Sequence, residues 1–163
     1  MAAGALVVVG REEIGDAMKT GDFLSKLDEA AVAAAIAQAE RLSSGEIRVY
    51  VSERKVTDAL AHARDQFRIL GMERTRERNA VLLFFAPRVR QFAIVGDRGV
   101  DAVCGAAFWA EVAQQIGADL RRGDFHGAVV RAVERVGGVL AEHFPRSGDN
   151  PDELPNTVVR DPE

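Results

Sequence analysis

Seven consecutive apolar residues, AVLLFFA, occupy positions 80–86 and constrain the fold more than any other feature of the sequence. Such a run is typical of a β-strand buried on both faces, because a strand with one wet face alternates between apolar and polar residues. A strand buried on both faces needs helices above and below its sheet. The run therefore predicts an α/β domain in which the sheet is the middle layer.

The segments around this run supply the other layers. Residues 46–52, EIRVYVS, alternate in polarity and predict a strand with one wetter face. The turn PRVR leads from the apolar run into QFAIVG, residues 91–96, and predicts a β-hairpin. Apolar stripes at helical spacing predict helices within residues 25–45, 57–71, 106–123 and 124–145.

Capping residues predict where three of these helices begin. Ser25 with Asp28 has the spacing of a capping box, while Thr57 and Asp124 precede the second and the last helix. The resulting order is α-β-α-β-β-α-α, and its strand–helix–strand unit favours parallel strands. The predicted architecture is a three-layer α/β/α sandwich around a small mixed β-sheet.

The two ends of the chain differ from this body, residues 21–145. Residues 1–20 show no sustained hydrophobic period and contain three glycines, which predicts a loose leader, with Met18 as a possible true start. Residues 146–163 hold three of the five prolines and several acids. This composition predicts an acidic flexible tail, with a short docked piece around Leu154.

Composition and charge exclude several classes of protein. A single cysteine among 163 residues leaves no intramolecular disulfide and no Cys-based zinc cluster, so a reducing cytoplasm fits best. The net charge of −4 is concentrated at the two ends, and the near-neutral body argues against nucleic-acid binding. No run approaches the roughly 20 apolar residues that span a bilayer, so membrane insertion is not expected.

The stretch AIVGDRGVDAV, residues 93–103, invites three interpretations: a phosphate loop, a cation site, or a turn from a strand into a helix. Its GDRG segment lacks the middle glycine of a dinucleotide fingerprint, and its acid would repel a phosphate. We therefore interpret it first as a strand-to-helix turn and second as a cation site. No motif of a serine hydrolase, a phosphate loop or a zinc helix is present.

Three acids are candidate metal ligands. Glu46 opens the first strand, and Asp97 and Asp101 follow the third. Carboxylates that converge from loops at one end of a sheet are the ligands that Ca²⁺ or Mg²⁺ prefers. Aspartate is also an ordinary turn residue and helix cap, so the structural interpretation stays open. No organic cofactor is indicated.

Arginines flank the apolar run on both sides. They either line an anion site at one sheet end or belong to solvated loops, since Glu73 and Glu77 are interleaved with them. These arginines are Arg74, Arg76, Arg78, Arg88 and Arg90.

The order and spacing of three stretches resemble the TPM domain family, and the resemblance covers roughly residues 22–145. It implies an α/β/α sandwich, and the tail DELPNTV is similar to that of short bacterial members. Plant members have been described as acid phosphatases, and some members bind divalent cations in loops at one end of the sheet. The three stretches are SGEIRVYV, RNAVLLFFAPRVRQFAIVGDRGVDAV and residues 108–145.

This sequence departs from the family pattern at one acid. The family's Asp-x-Gly before the central strand appears here as Arg78-Asn79-Ala80, so its acid is missing. The family's Gly-x-Gly-Leu-Glu after the next strand is loosely matched by residues 96–101, in which Asp97 partly compensates.

Two functions therefore stay open. In the first, the protein is a cytosolic TPM-type module without enzymatic activity that binds a protein partner. In the second, Asp97, Asp101 and Glu46 hold Ca²⁺ or Mg²⁺, which activates water for slow phosphate-ester hydrolysis. Arg98 or Arg90 would then bind the phosphate. The sparse set of ligands and the missing acid favour the first.

Overall fold

The elements of the fold were assigned on a computed structural model that describes residues 6–10, 20–146 and 157–162. The strands are β1 (Leu6–Gly10), β2 (Glu46–Val51), β3 (Ala80–Ala86), β4 (Gln91–Gly96) and β5 (Val159–Arg160). The helices are α1 (Thr20–Lys26), α2 (Glu29–Leu42), α3 (Ala59–Ile69), α4 (Arg98–Arg121) and α5 (Phe125–His143). The predicted order of elements is present, with additional elements at both ends.

The strands form one mixed sheet in the order β1-β4-β3-β2-β5. β2 pairs in parallel with both β3 and β5, whereas β4 pairs antiparallel with β3 and β1. The short connection from β3 to β4 makes the predicted hairpin. The apolar run is thus the middle strand of the sheet.

β3 divides its side chains between two hydrophobic layers. Val81, Leu83 and Phe85 pack into the layer formed with α2, α4 and α5. Leu82 and Phe84 pack on the other face, against the apolar side of α3. All seven residues of β3 are buried, which confirms a strand covered on both faces and the α/β/α architecture.

Asp28, Asp58 and Asp124 cap the helices, two of them in place of the predicted residues. The Asp28 carboxylate accepts a hydrogen bond from Ala31 N, so α2 begins after Asp28, and Ser25 lies inside α1. The Asp58 carboxylate, rather than the Thr57 hydroxyl, accepts from the first backbone N–H groups of α3. Only the prediction for Asp124, the cap of α5, is confirmed.

α4 begins directly after β4 and is interrupted once. Gly105 inside it has φ 76° and ψ 163°, a conformation that only glycine adopts readily, and the helix kinks there. The predicted start near residue 106 is therefore the second half of a longer, kinked helix. Within the described residues, no helix combines the length and apolar character needed to cross a membrane.

Both ends of the chain contribute strands to the sheet. Leu6–Gly10, within the predicted loose leader, pairs with the edge of β4, and Val159–Arg160, within the predicted flexible tail, pairs with β2. In each case the added strand satisfies backbone groups that an edge strand leaves unpaired. Met18 and Leu154 lie outside the described residues.

Candidate functional site

The candidate site is one end of the sheet, where β2 and β3 begin and β4 ends. Glu46 pairs with Ala80 across β2 and β3, and the Glu46 N–H donates to Asn79 O at 3.4 Å. On the other side of β3, the Asp97 N–H donates to Ala80 O at 3.0 Å. The structure therefore places Glu46 and Asp97 at the same end of the sheet, as the sequence predicted, with β3 between them.

Asp97 forms a two-point ion pair with Arg78. Arg78 Nε donates to Asp97 Oδ2 at 2.7 Å, and a terminal guanidinium nitrogen donates to Oδ1 at 3.0 Å. The Asp97 side chain is 0% exposed and that of Arg78 is 23% exposed. The hydrogen bonds to Asp97 raise the pKa of Arg78 above its ordinary value. Both carboxylate oxygens of Asp97 are thus engaged by the protein itself.

The first turn of α4 is also closed by protein atoms. Arg98 N donates to Asp97 Oδ1 at 2.8 Å, which makes Asp97 the helix cap. Gly99 N and Val100 N both donate to Arg78 O, and Asp101 N donates to Asp97 O. The N–H groups that bind phosphate at some helix N-termini are therefore already occupied. The stretch is a strand-to-helix turn, as its first interpretation stated.

Gly99 is required here because another backbone passes very close to it. A Cβ at this position would lie 2.1 Å from Glu77 O and 2.7 Å from Arg78 O. Arg78 itself has φ 52°, in the left-handed region that non-glycine residues rarely adopt. The second glycine of GDRG thus allows the loop before β3 to lie against α4.

The same loop is tied to the start of β2 by polar side chains. Asn79 is buried, and its side-chain Nδ2 donates to Ser44 Oγ at 3.0 Å. The Ser44 hydroxyl donates to the Glu77 carboxylate, and Thr75 Oγ1 accepts from Asn79 N at 3.2 Å. Glu77 therefore serves the loop's own hydrogen bonding.

The other two candidate ligands have different surroundings from Asp97. Glu46 lies near Arg48, whose pKa is lowered because burial outweighs its attraction to Glu46 and Glu40. Asp101 lies near Cys104, whose thiol pKa is raised to about 11 by burial, with smaller contributions from Asp101 and Glu142.

The three predicted ligands are not grouped as a metal site. Over the residues that the structure describes, no group of three or more His, Cys, Asp or Glu side chains is arranged to hold a metal ion. Binding of Ca²⁺ or Mg²⁺ by Glu46, Asp97 and Asp101 stays a prediction.

The two predicted anion-binding arginines lie at opposite ends of β4. Arg98 is exposed on the first turn of α4, beside Asp97. Arg90 is exposed in the hairpin turn before β4, with φ 54°. A strand of this length separates its ends by about 20 Å, so Arg98, rather than Arg90, lies at the sheet end with Asp97; phosphate binding by either arginine stays a prediction.

Sequence reasoning missed Arg78 as the partner of Asp97. From the sequence, Arg78 is one of several arginines that either line an anion site or belong to solvated loops. The signal was available in the predicted hairpin, because antiparallel pairing brings the residues before β3 next to those after β4. An arginine before the first strand and an aspartate after the second are thereby placed opposite each other.

Fold and site together define the class of this protein: an α/β/α sandwich whose sheet end is closed by a buried aspartate and an arginine from the adjoining loop. Residues 18–139 match the TPM domain. The chain belongs to the TPM domain family, as the resemblance of its motifs indicated.

A solved structure shares this fold. The NMR structure of BA42 protein from the psychrophilic bacterium Bizionia argentinensis sp. nov. is similar, with a TM-score of 0.76 and 36% sequence identity. The match covers 82% of this chain and 92% of BA42. No protein with curated annotation matches this chain.

Proposed function

We propose that this TPM domain is a cytosolic, non-catalytic module that binds a protein partner. The observation that carries the proposal is the two-point ion pair between Arg78 and Asp97. The guanidinium holds both oxygens of the carboxylate best placed to bind a cation, and that carboxylate is buried.

Electrostatics supports this conclusion. An arginine side chain keeps its positive charge throughout the physiological pH range. A divalent cation at Asp97 would have to displace the guanidinium and then lie close to it, which is unfavourable at the low effective dielectric of a buried site. Arg78 also stands where the family pattern carries an acid, so it replaces a negative charge by a positive one. The charge of the Asp97 carboxylate is already neutralised by the guanidinium of Arg78.

A second candidate function is divalent-cation binding with weak phosphate-ester hydrolysis. The observation in its favour is that Glu46 and Asp97 lie at the same end of the sheet, with Asp101 one helical turn further along. Arg98, exposed beside them, would be the phosphate ligand. This function requires Arg78 to leave Asp97 when the cation binds.

Cation titration separates the two functions. The wild-type chain is titrated with Ca²⁺ and Mg²⁺ to millimolar concentrations while amide NMR shifts are recorded. The first proposal expects no saturable shifts concentrated on Glu46, residues 78–80 or residues 96–102. Saturable shifts at those positions would overturn it in favour of the second function.

Hydrolysis of p-nitrophenyl phosphate tests the chemistry. Asp101→Asn is the informative variant, because Asp101 neither caps α4 nor pairs with Arg78. Asp65→Asn is the matched control, since Asp65 is an exposed acid on α3 with a surface ion pair to Arg68. Equal rates for both variants and the wild type are expected. A cation-dependent rate lost only in Asp101→Asn would establish the second function.

A further inference from the structure

The outer edge of β2 carries a polar binding site, called the seat below, that is formed by Tyr50, Ser52 and Glu53. Residues 158–162 occupy it. Val159 and Arg160 pair in parallel with Tyr50 and Val51. Asp161 follows directly and lies beside the residues that continue β2. The seat is distinct from the sheet end closed by Arg78 and Asp97, because it lies where β2 ends rather than where it begins.

The carboxylate of Asp161 accepts hydrogen bonds from three neighbouring donors. Tyr50 Oη lies 2.9 Å from Oδ1, Ser52 Oγ lies 2.9 Å from Oδ2, and Glu53 N lies 2.6 Å from Oδ2. Ser52 Oγ also lies 3.1 Å from Oδ1. Two hydroxyls and a backbone N–H thus surround one carboxylate.

The body of the domain also contacts these donors. The Tyr50 ring stacks on Phe84 with ring centroids 5.3 Å apart, and Ser52 N donates to Phe85 O at 2.8 Å. Tyr50 is 1% exposed and Ser52 is 0% exposed. Because β3 holds both residues, their hydroxyl groups are held beside a carboxylate on an extended chain.

The remaining contacts of the occupying segment define what the seat recognises. Val158 packs against the hydrophobic layer on one face of the sheet and Val159 against the layer on the other. Arg160 pairs with Glu29 at the start of α2, and Arg54 donates to Pro162 O at 3.1 Å. The ligand is therefore an extended segment with two apolar residues, a basic residue and an aspartate, in that order.

We infer that this edge, from Tyr50 to Arg54, is a binding site for an extended, aspartate-containing segment of a partner protein, and that residues 158–162 occupy it in cis. The inference deepens the proposed function, since it assumes that the domain binds a protein partner. The incoming segment adds as a strand parallel to β2, so backbone hydrogen bonds give affinity and the carboxylate seat gives specificity. A strand pairing of only two residues is short enough to be exchanged.

The site ends where β2 is already blocked. Glu40 Oε2 accepts a hydrogen bond from Ile47 N at 3.1 Å, near the start of the strand. An incoming segment can therefore pair only with the second half of β2. The seat accepts a short linear segment rather than a long strand.

The tethered segment competes with any partner. A tethered ligand acts at an effective concentration of about the millimolar range, so a free peptide of the same sequence binds the wild-type chain weakly. Weakening the cis contact should expose the seat. Asp161→Asn does this in the full chain while leaving Tyr50, Ser52 and Arg54 in place.

The test uses a fluorescent peptide of residues 157–163, TVVRDPE, and its matched control TVVRNPE. Each is titrated into the full-length wild type and the full-length Asp161→Asn variant, with anisotropy as the readout. TVVRDPE is expected to bind the variant about tenfold more tightly than the wild type, because a charge-assisted hydrogen-bond set no longer competes. TVVRNPE should bind the variant about tenfold more weakly than TVVRDPE. Adding Ser52→Ala to the variant should lower its affinity for TVVRDPE.

Three results would overturn the inference. The first is the absence of saturable binding of TVVRDPE to a variant that amide NMR shows to be folded. The second is equal affinity for the two peptides. The third is dimerisation of the variant, seen by light scattering, with no competition from peptide, because a second copy would then be the occupant. None of these results bears on the proposed lack of catalysis. Conversely, cation-dependent hydrolysis would contradict the proposed function but would not alter peptide binding.

Discussion

Two aspartates of this domain are held in contrasting ways. Asp97 is completely buried and paired with a charged arginine from the adjoining loop. Asp161 is partly buried and held mainly by neutral donors, on a segment that reaches β2 from the far end of the chain. The Asp97 arrangement belongs to the folded core at the end of the sheet, whereas the Asp161 arrangement attaches the segment of residues 158–162 to the edge of β2. The contrast teaches that the number of hydrogen bonds to a carboxylate does not decide whether the carboxylate belongs to the core: Asp97 accepts three and lies in the core, whereas Asp161 accepts four on an attached segment.

Replacing Asp97 with alanine should have the largest effect on stability. The change leaves the partly buried guanidinium of Arg78 without its carboxylate partner and removes the cap of α4. We therefore expect a loss of about 3 kcal/mol in the free energy of unfolding. Urea denaturation measures this. Asp65→Ala, at an exposed surface pair, should change stability by less than about 0.5 kcal/mol. Similar losses for both variants would mean that the buried Arg78–Asp97 pair contributes no more to stability than the exposed pair of Asp65 and Arg68.

Gly99→Ala should have the second-largest effect on stability. The added methyl group meets backbone oxygens of the loop before β3, which cannot move away as a flexible side chain would. We expect a loss of about 2 kcal/mol, within the range for overpacked sites. Gly138→Ala is the control, because the space around that position in α5 is open and alanine favours a helix by about 0.5–1 kcal/mol. A neutral Gly99→Ala would show that the loop and α4 can separate.

Asp161→Asn should have a smaller effect, and one that depends on pH. Burial opposes ionisation of Asp161, but hydrogen bonds from Ser52, Tyr50 and Glu53 N, with the charge of Arg54, lower its pKa below the ordinary 3.8. The contribution of this carboxylate to stability is therefore present above about pH 4 and is lost as the pH falls through the lowered pKa of the folded state.

The measurement is the difference in unfolding free energy between wild type and Asp161→Asn from pH 7 to pH 2. It should be about 1 kcal/mol at neutral pH and shrink at the acid end. Asp28→Asn keeps a residue that caps helices well and serves as the control. A difference that stays constant with pH would contradict the assignment of the effect to the Asp161 carboxylate.

The smallest effect concerns Cys104. Burial raises the pKa of its thiol to about 11, so little thiolate exists at pH 8. Alkylation by iodoacetamide should therefore be slow at pH 8 and accelerate as the pH approaches 11, when compared with a small-molecule thiol under the same conditions. Rapid alkylation at pH 8 would contradict a raised pKa for this thiol.

The layers of the fold were predictable because one strand carried an unambiguous pattern. The run of residues 80–86 demanded cover on both faces, and the helices that provide it have clear stripes. The strand β5 was not predictable, since two residues form a strand only because the edge of β2 lies beside them, whereas the run LVVVG of β1 is rich in β-branched residues that favour a strand. The start of α3 differs from the prediction by one residue, because Asp58 accepts the hydrogen bonds expected of Thr57. The start of α4 differs by eight residues, because the Gly105 kink separates its first turns from the apolar stripe.

The candidate site was predictable in position but not in chemistry. Strand order alone brings Glu46 and Asp97 to the same end of the sheet. Whether a carboxylate there is open to a cation depends on where the Arg78 guanidinium points, and this follows from a left-handed backbone at Arg78 and from the tight approach at Gly99. Neither feature leaves a pattern in the spacing of residues, although the hairpin of β3 and β4 already brings Arg78 and Asp97 next to each other.

The hydrogen bond from Ile47 N to Glu40 has a consequence for behaviour at high concentration. A helix side chain there takes up a donor that would otherwise be offered to neighbouring molecules. Exposed edge strands commonly start aggregation, because they pair with strands of other molecules. Glu40 covers the first half of the β2 edge, so only the second half can bind a short peptide segment. The protein can therefore bind such a segment without exposing a full strand edge on which fibrils could form.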